Sequence, residues 1–233
     1  MEVTAQTLKA ITVFQDLDIK QRQRLAESMS MKKFCSGQQV ITQDDDSSDV
    51  FFIVGGQVRA TLFSTTGKEV SFQDLYSGDM FGELSAIDGE PRSTHVVAMG
   101  KADTLIVSMS REAFWSALFS YPGVTRRTLE RLTRLVRLHC QRIFEYSALG
   151  VKNRIHAELL RCARNESDLD GEVVIHDPPT HVELANRVAT HREAVTRECK
   201  HMESLGIIEW RPGRHVIKDV AALERMVKEV QGR

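Results

Sequence analysis

The chain has 233 residues, 42% of them hydrophobic and 27% charged, with a net charge of −1. That is the balance of a globular protein with one or two sizeable cores, and it excludes a generally basic nucleic-acid binder. No apolar run approaches the ~20 residues of a membrane span, and the N-terminus lacks the basic and apolar regions of a signal peptide, so a cytoplasmic protein with no membrane partner is expected. Cys35, Cys140, Cys162 and Cys199 stand far apart in sequence and form no ligand pair. Reduced thiols, and no metal site, are the expectation.

Residues 4–30 read as helical, in two pieces. Leu8, Ile11, Leu25 and Met29 supply apolar positions, and Phe14 and Leu17 mark a break. Asp18 is placed to cap the second piece, with Gln21 as its reciprocal partner. From about Phe34 the pattern becomes β. Val40-Ile41, Val50–Val54, Val58–Leu62, Val70–Phe72, His95–Ala98 and Leu105–Val107 are short runs punctuated by turn signals such as Gly55-Gly56 and Thr66-Gly67. Strands at this spacing predict an antiparallel sandwich or barrel. The acidic run Asp44-Asp45-Asp46 reads as a solvated loop, and Gly55-Gly56 as a hairpin turn needing positive φ.

Between two of these strands lies Phe81–Val97, which offers a phosphodiester the parts it needs. Gly82 allows close backbone approach. Leu84–Ile87 can form a helical turn with free N–H groups. Arg92 supplies a forked cation suited to phosphate oxygens, and Ser93 and Thr94 add hydroxyl donors. Glu83 repels phosphate but can accept a hydrogen bond from a ribose hydroxyl. An anion, a sugar hydroxyl and an arginine together describe a cyclic nucleotide; the competing reading is a surface turn with Arg92 in an ordinary ion pair. The stretch resembles the phosphate-binding cassette of cyclic-nucleotide-binding domains at Gly82, Glu83, Leu84, Arg92 and Ser93. It departs at Thr94, where that family usually has Ala. The resemblance implies a jelly-roll sensor. Replacing Arg92 by Leu is then expected to abolish ligand response and leave the fold intact.

Ser110 opens a further helix, which Tyr121-Pro122-Gly123 breaks. From there to Leu149 there is no Pro and no further Gly. Leu129, Leu132, Val136, His139, Ile143 and Tyr146 are spaced 3-4-3-4-3, a heptad seam, with Arg126, Arg127, Arg131, Arg134, Arg137 and Arg142 on the other faces. The pattern fits a two-stranded coiled coil or an amphipathic helix lying on its own domain's core.

After Gly150, Val151–Ala163 reads as a helix with Ile155, Leu159 and Leu160 inward, followed by a polar loop over Asn165–Gly171 and a short strand, Val173–Ile175. Thr180-His181-Val182-Glu183 is a capping box, and Leu184 and Val188 form that helix's inner face. The turn Ala189-Thr190-His191 leads to a second helix, Arg192–Ser204, with Val195, Cys199 and Met202 on its buried side. Two short helices joined by a tight turn read as helix-turn-helix. Gly206 ends the second helix as a C′ residue, and Ile207–Trp210 with His215–Ile217 makes a β-hairpin wing. Arg192, Glu193, Thr196, Arg197 and Lys200 avoid the apolar face, where the N-terminal part of such a helix meets base edges. Two competing roles stand beside that one. Thr190 and Glu193 can form a second capping box, and Arg192 and Arg197 can be solvated surface charges.

Thr-x-x-Glu-Leu-Ala followed by Arg-Glu-x-Val-x-Arg resembles the winged helix of the catabolite activator and fumarate–nitrate regulator family, and the likeness covers essentially the whole chain. The resemblance implies base readers at Arg192, Glu193 and Arg197, a phosphate-contacting cap at Thr180, and GTG-type half-sites. Ala189 and His191 stand where the family often has Gly and Ser. It implies that the seam helix is a dimer interface that also closes the nucleotide pocket. An ungapped alignment puts His139-Cys140 where the catabolite activator branch has two adenine-reading hydroxyl residues.

The expected architecture is therefore α+β: a β jelly-roll cyclic-nucleotide-binding sensor over 1–121, a dimerisation helix over 122–149 and a winged helix-turn-helix domain over 150–233. The expected function is a homodimeric transcription regulator that binds palindromic double-stranded DNA, with RNA polymerase as a further partner. Its allosteric ligand is cyclic AMP, with cyclic GMP a second candidate because imidazole can donate or accept and Ser93 and Thr94 can meet a guanine amino group. Its site would comprise Gly82, Glu83, Leu84, Arg92, Ser93, Thr94, His139 and Cys140. Its DNA surface would comprise Thr180, His191, Arg192, Glu193, Thr196, Arg197 and Lys200. No cofactor and no catalysis are expected, since no nucleophile motif or metal spacing is present. The alternative is a regulator of the same family with another effector, such as haem held by His95, Cys35 or His139, or another metabolite.

Overall fold

The computed structural model describes residues 2–63, 69–164, 166, 172–176, 178–211 and 213–232. The turn expected at Thr66-Gly67 and all of the loop expected at 165–171 except Glu166 lie outside them. The chain divides into two compact units, residues 1–136 and 137–233.

The first unit opens with α1 (Ala5–Lys9), a 3-10 turn (Thr12–Phe14) and α2 (Ile19–Ala26). Asp18 caps α2 as its sequence predicts: its carboxylate accepts from the Gln21 N–H at 2.8 Å, and the Gln21 side chain accepts from the Asp18 N–H at 2.9 Å. The strands are β1 (Met29–Phe34), β2 (Gln39–Ile41), β3 (Val50–Gly55), β4 (Gln57–Phe63), β5 (Glu69–Tyr76) and β6 (Met80–Phe81). After them come α3 (Glu83–Asp88), β7 (His95–Met99), β8 (Thr104–Met109), α4 (Arg111–Ser120) and α5 (Pro122–Ala148). Met29, expected at the end of a helix, instead starts β1, where it pairs with Met109 of β8.

Among the described residues of this unit two antiparallel sheets form, in the orders β1-β8-β3-β6 and β2-β7-β4-β5. This is the expected β sandwich. The period of two decides which residue goes where. Ile53 and Ile106 point between the sheets, with Val58, Leu75, Phe81 and Val96. Their neighbours Phe52 and Val107 point the other way, against Leu8, Ile11, Phe14, Phe114 and Val124 from the helices. One sheet is thus covered on both faces, which is why β3 reads as a continuous apolar run rather than an alternating one.

The second unit takes the rest of α5, then α6 (Val151–Arg164), β9 (Val173–His176), α7 (His181–Arg187), α8 (Arg192–Ser204), β10 (Ile208–Arg211), β11 (Arg214–Ile217) and α9 (Val220–Gln231). Its small sheet has the order β10-β11-β9. Ile155, Leu159, Leu184, Val195, Met202, Ile217 and Leu223 share one core. The capping box at Thr180 and Glu183 and the left-handed Gly206 are present as expected. Helix α9 was not anticipated, although Asp219 caps it and Val220, Leu223 and Val227 give it a buried stripe.

Of the Gly55-Gly56 pair only Gly56 has positive φ, +85°, and a Cβ there would lie 2.7 Å from Thr104 Oγ1 and 2.8 Å from Thr104 Cα. Gly150 has no atom within 4 Å of a built Cβ. Gly56→Ala is expected to destabilise the protein by about 2–4 kcal/mol and Gly150→Ala by less than about 1 kcal/mol. Urea denaturation of both variants checks this, and equal midpoints would contradict it.

Candidate functional site

The cassette is built by β6, α3 and the segment leading into β7. Gly82 adopts φ +79°, and a Cβ on it would meet Arg92 Nη1 at 2.8 Å and the Asp49 carbonyl at 3.0 Å. A side chain is therefore excluded from position 82 by the guanidinium that packs there. Arg92 is only 2% exposed. Its Nε donates to Ser47 Oγ at 3.0 Å, Nη1 to the Gly82 carbonyl at 2.8 Å and Nη2 to the Asp49 carbonyl at 2.7 Å. All three acceptors are neutral, so the ordinary-ion-pair reading fails. The backbone is matched as well: the Arg92 N–H donates to the Asp45 carbonyl and the Asp44 N–H to the Arg92 carbonyl, both at 2.9 Å. The acidic run is the exposed loop its sequence predicts, and the backbone of Asp44 and Asp45 within it also helps to hold Arg92. Burial pushes the Arg92 pKa down, while the nearby Asp49, Asp45 and Glu83 charges favour its cationic form.

Glu83 is buried as well, and burial pushes its carboxyl pKa up, against the pull of Arg131 and Arg92. Arg131, on α5, is the residue that the motif alone did not identify. Its Nη2 donates to the Met80 carbonyl. Its Nη1 lies 3.7 Å from Asp79, and its Nε is 3.9 Å from Glu83. That Nε is buried and has no hydrogen-bond partner. Leu84 and Ser93 are exposed and Thr94 is half-buried beside them. His139 and Cys140 belong to the second unit. His139 is half-buried, with burial and Arg142 favouring its neutral form, and Cys140 is exposed.

The seam residues do not lie on their own unit's core. Leu129, Val136 and Ile143 are 59%, 62% and 64% exposed, and Tyr146 is also exposed, while Leu132 and His139 are half-buried. The faces of α5 that do pack are Val124 and Thr128 in the first unit and Arg142, Glu145 and Leu149 in the second.

In the second unit, α8 is entered through His191, whose side chain makes no capping hydrogen bond. The rival capping box of Thr190 and Glu193 is therefore not formed. Ala189 supplies the turn at φ +52°, the position where a glycine is the low-strain choice. Arg192, Glu193, Arg197 and Lys200 are exposed. With Thr196 they line a single open depression of about 480 Å³. Arg187 and Glu158 sit behind this surface in a network that sequence reasoning missed. Glu158 accepts from Arg142 at 3.3 Å, from Arg187 at 3.4 Å, and from Arg161. Arg161 also reaches Glu145 at 2.8 Å, and the Tyr146 hydroxyl donates to the Arg187 carbonyl at 2.6 Å. Burial alone would raise the Glu158 pKa, but Arg161, Arg142 and Arg187 outweigh it and hold the carboxylate ionised. The network fastens α5 to α6 and α7. A second fastener, His156 Nε2 to Glu198 at 2.7 Å, joins α6 to α8.

Residues 31–121 match the cyclic nucleotide-binding domain family, and residues 153–226 match the Crp-like helix-turn-helix domain family. A cAMP-dependent protein kinase regulatory subunit from Mycosarcoma maydis is 31% identical over 52% of this chain, and the match spans only 23% of that protein. A CRP-like cAMP-activated global transcriptional regulator from Mycobacterium tuberculosis is 25% identical over 93% of this chain and 96% of its own. Among solved structures, a CooA mutant from Carboxydothermus hydrogenoformans superposes with a TM-score of 0.78 at 18% identity, over 94% of this chain and 95% of that one.

The cradle adds a stability cost to the expectation that Arg92→Leu keeps the fold. Removing the guanidinium takes a donor from two part-buried carbonyls, those of Gly82 and Asp49. Arg92→Leu is expected to lower stability by about 2–4 kcal/mol without any nucleotide present. A chemical-denaturation curve matching wild type would refute this.

Proposed function

Because the chain belongs to the catabolite activator and fumarate–nitrate regulator (CRP/FNR) family of transcription regulators, we propose that it is a homodimer that binds a palindromic DNA site when a cyclic nucleotide occupies its sensor domain. The observation that carries this is Arg92: a buried guanidinium whose partners are two carbonyls and a hydroxyl rather than a carboxylate. Such a charge retains its attraction for an anion, and the glycine at 82 is what lets the guanidinium pack there. Glu83 accepts from a ribose hydroxyl. Cyclic AMP is the ligand and cyclic GMP a second one, because His139 and Cys140 replace the family's adenine-reading hydroxyls and Thr94 can meet a guanine amino group.

The exposed seam of α5 is covered by the same seam of a second copy, each buried Leu, Ile or Val side chain contributing ~1.5–3 kcal/mol. Two recognition helices then stand about one DNA turn apart, roughly 34–36 Å. Arg192, Glu193 and Arg197 read bases, Lys200, Thr196 and His191 support them, and Thr180 holds a phosphate. The nucleotide shifts the population toward the DNA-competent state only to the extent that it binds that state more tightly. RNA polymerase is the further partner and the cytoplasm the site of action.

Fluorescence anisotropy with a pool of random duplexes at one fixed salt concentration, without nucleotide and with cyclic AMP or cyclic GMP, tests the reading. Selection of one palindrome by the liganded protein alone is expected; equal binding in all three conditions sinks the nucleotide assignment. Val136→Asp/Ile143→Asp is expected to sediment as a monomer and to lose at least about tenfold in operator affinity, since it buries charge in an apolar seam. A variant that remains dimeric in the analytical ultracentrifuge would overturn the seam assignment.

A further inference from the structure

Tyr146 takes the last of the seam positions on α5 and is 37% exposed. Its hydroxyl donates to the Arg187 carbonyl, at the C-terminal end of α7, at 2.6 Å. That carbonyl lies in the last turn of a helix, where no helical N–H follows to meet it. Two residues further on, Ala189 turns the chain at φ +52°, and His191 then starts α8 as its N-cap. The bond from Tyr146 therefore closes on the turn of the helix-turn-helix itself.

The phenol is held from other sides as well. Arg142 Nη1, one turn earlier on α5, lies 3.5 Å from the Tyr146 hydroxyl oxygen. The guanidinium carbon of Arg154, on α6, lies 5.8 Å from the centre of the ring. The pairs Arg142–Glu158 and Arg161–Glu145 fasten α5 to α6. The Tyr146 hydroxyl reaches α7 directly. One side chain thus belongs to the seam by its position and exposure, and to the helix-turn-helix by its hydroxyl.

We propose that Tyr146 is the positioning residue that sets the spacing between the two DNA half-sites. The proposal rests on the homodimer and palindrome reading above. When a second copy covers the seam, the ring is fixed against that copy, and the hydroxyl fixes the turn before α8 to the ring. The angle of each recognition helix about the dimer axis then depends on one hydrogen bond per protomer. Adding one base pair between half-sites moves one of them by about 3.4 Å and turns it by about 35°. An O–H···O bond spans only ~2.5–3.0 Å, so a recognition helix that follows such a shift at this joint gives up the bond to Arg187. An operator of the matching spacing keeps it.

The test uses the full-length protein, the palindrome selected above, and the same palindrome with one base pair added or removed at its centre. A duplex carrying a single half-site is the reference. Anisotropy at one fixed salt concentration reads each affinity, and the analytical ultracentrifuge reads the dimer. The wild-type protein is expected to prefer the selected spacing. Tyr146→Phe keeps the ring and removes the hydroxyl. It is expected to remain a dimer and to lose roughly three- to tenfold of the preference for that spacing, the worth of one neutral hydrogen bond. An unchanged preference overturns the proposal. So does a loss of equal size on every duplex, the half-site included, because that marks a merely structural role. A Tyr146→Phe protein that no longer dimerises puts the effect of the hydroxyl in the seam and also overturns it. Wild-type protein that binds the palindrome equally at all three spacings overturns the Tyr146 assignment and leaves the DNA-binding reading standing. Wild-type protein that selects no palindrome overturns both. If Tyr146→Phe does not fold, Tyr146→Leu, whose side chain suits a seam position, decides by the same ratio.

Discussion

The first unit is arranged around a cation that has no carboxylate partner among the described residues. Burying a guanidinium costs several kcal/mol unless its donors are met. Here they are met by the Ser47 hydroxyl and by the carbonyls of Gly82 and Asp49. These acceptors come from two separate stretches, the loop before β3 and the turn between β6 and α3. Holding Arg92 therefore fixes both stretches against each other. It also forbids a side chain at position 82, where a Cβ would lie 2.8 Å from Nη1. Phe51 completes the wall, its ring 5.6 Å from the guanidinium carbon and stacked on Phe81 at 5.2 Å. Dipoles solvate a charge without cancelling it, and the nearby Asp49, Asp45 and Glu83 charges favour its cationic form.

The second unit buries charge in the opposite manner. Glu158 is enclosed by Arg142, Arg161 and Arg187, and Arg161 is shared with Glu145. Cations and carboxylates alternate, so each charge has an opposite charge beside it, although the Arg142 Nε is buried without a hydrogen-bond partner. Such a network is weak evidence of stability but fixes orientation well, because losing any member strands a buried partner. The contrast separates the two roles. An arginine held by carbonyls is available to an anion, whereas arginines held by carboxylates are fasteners between α5, α6 and α7.

How much of this was legible in the sequence follows the range of the interaction involved. Caps at Asp18, Ser110 and Thr180 were readable because both partners lie within three residues. The cassette and the helix-turn-helix were readable because their residue types recur at fixed spacing, and the seam because its apolar period is regular. What was not readable lies far apart along the chain and uses backbone. The Asp49 carbonyl that meets Arg92 comes 43 positions earlier, and a carbonyl leaves no residue-type signature. The acid run at Asp44–Asp46 was read as an exposed loop, which it is, but its backbone bonds to Arg92 left no mark in the sequence. The strand β6 is only two residues long, too short for a period. Arg131 was hidden among other arginines of α5, and only its contacts with Met80, Asp79 and Glu83 single it out.

Helix α5 joins these two kinds of charge burial. Arg131 and Arg142 lie eleven residues apart, about 16 Å along the axis at 1.5 Å per residue. Arg142, close to the second end, is paired with a fully enclosed carboxylate. Arg131 makes one hydrogen bond, to the Met80 carbonyl, and stands 3.7 and 3.9 Å from Asp79 and Glu83, with its Nε unpaired. The two grips differ in setting: Arg142 joins a buried carboxylate that Arg161 and Arg187 also hold, while Arg131 makes its one hydrogen bond to a carbonyl. Any ligand hydroxyl that engages Glu83 competes for the carboxylate nearest that unpaired Nε. Of the two fastenings on α5, the one at Arg131 uses a backbone carbonyl and the one at Arg142 a buried carboxylate, and the helix has no proline or glycine between them to kink it.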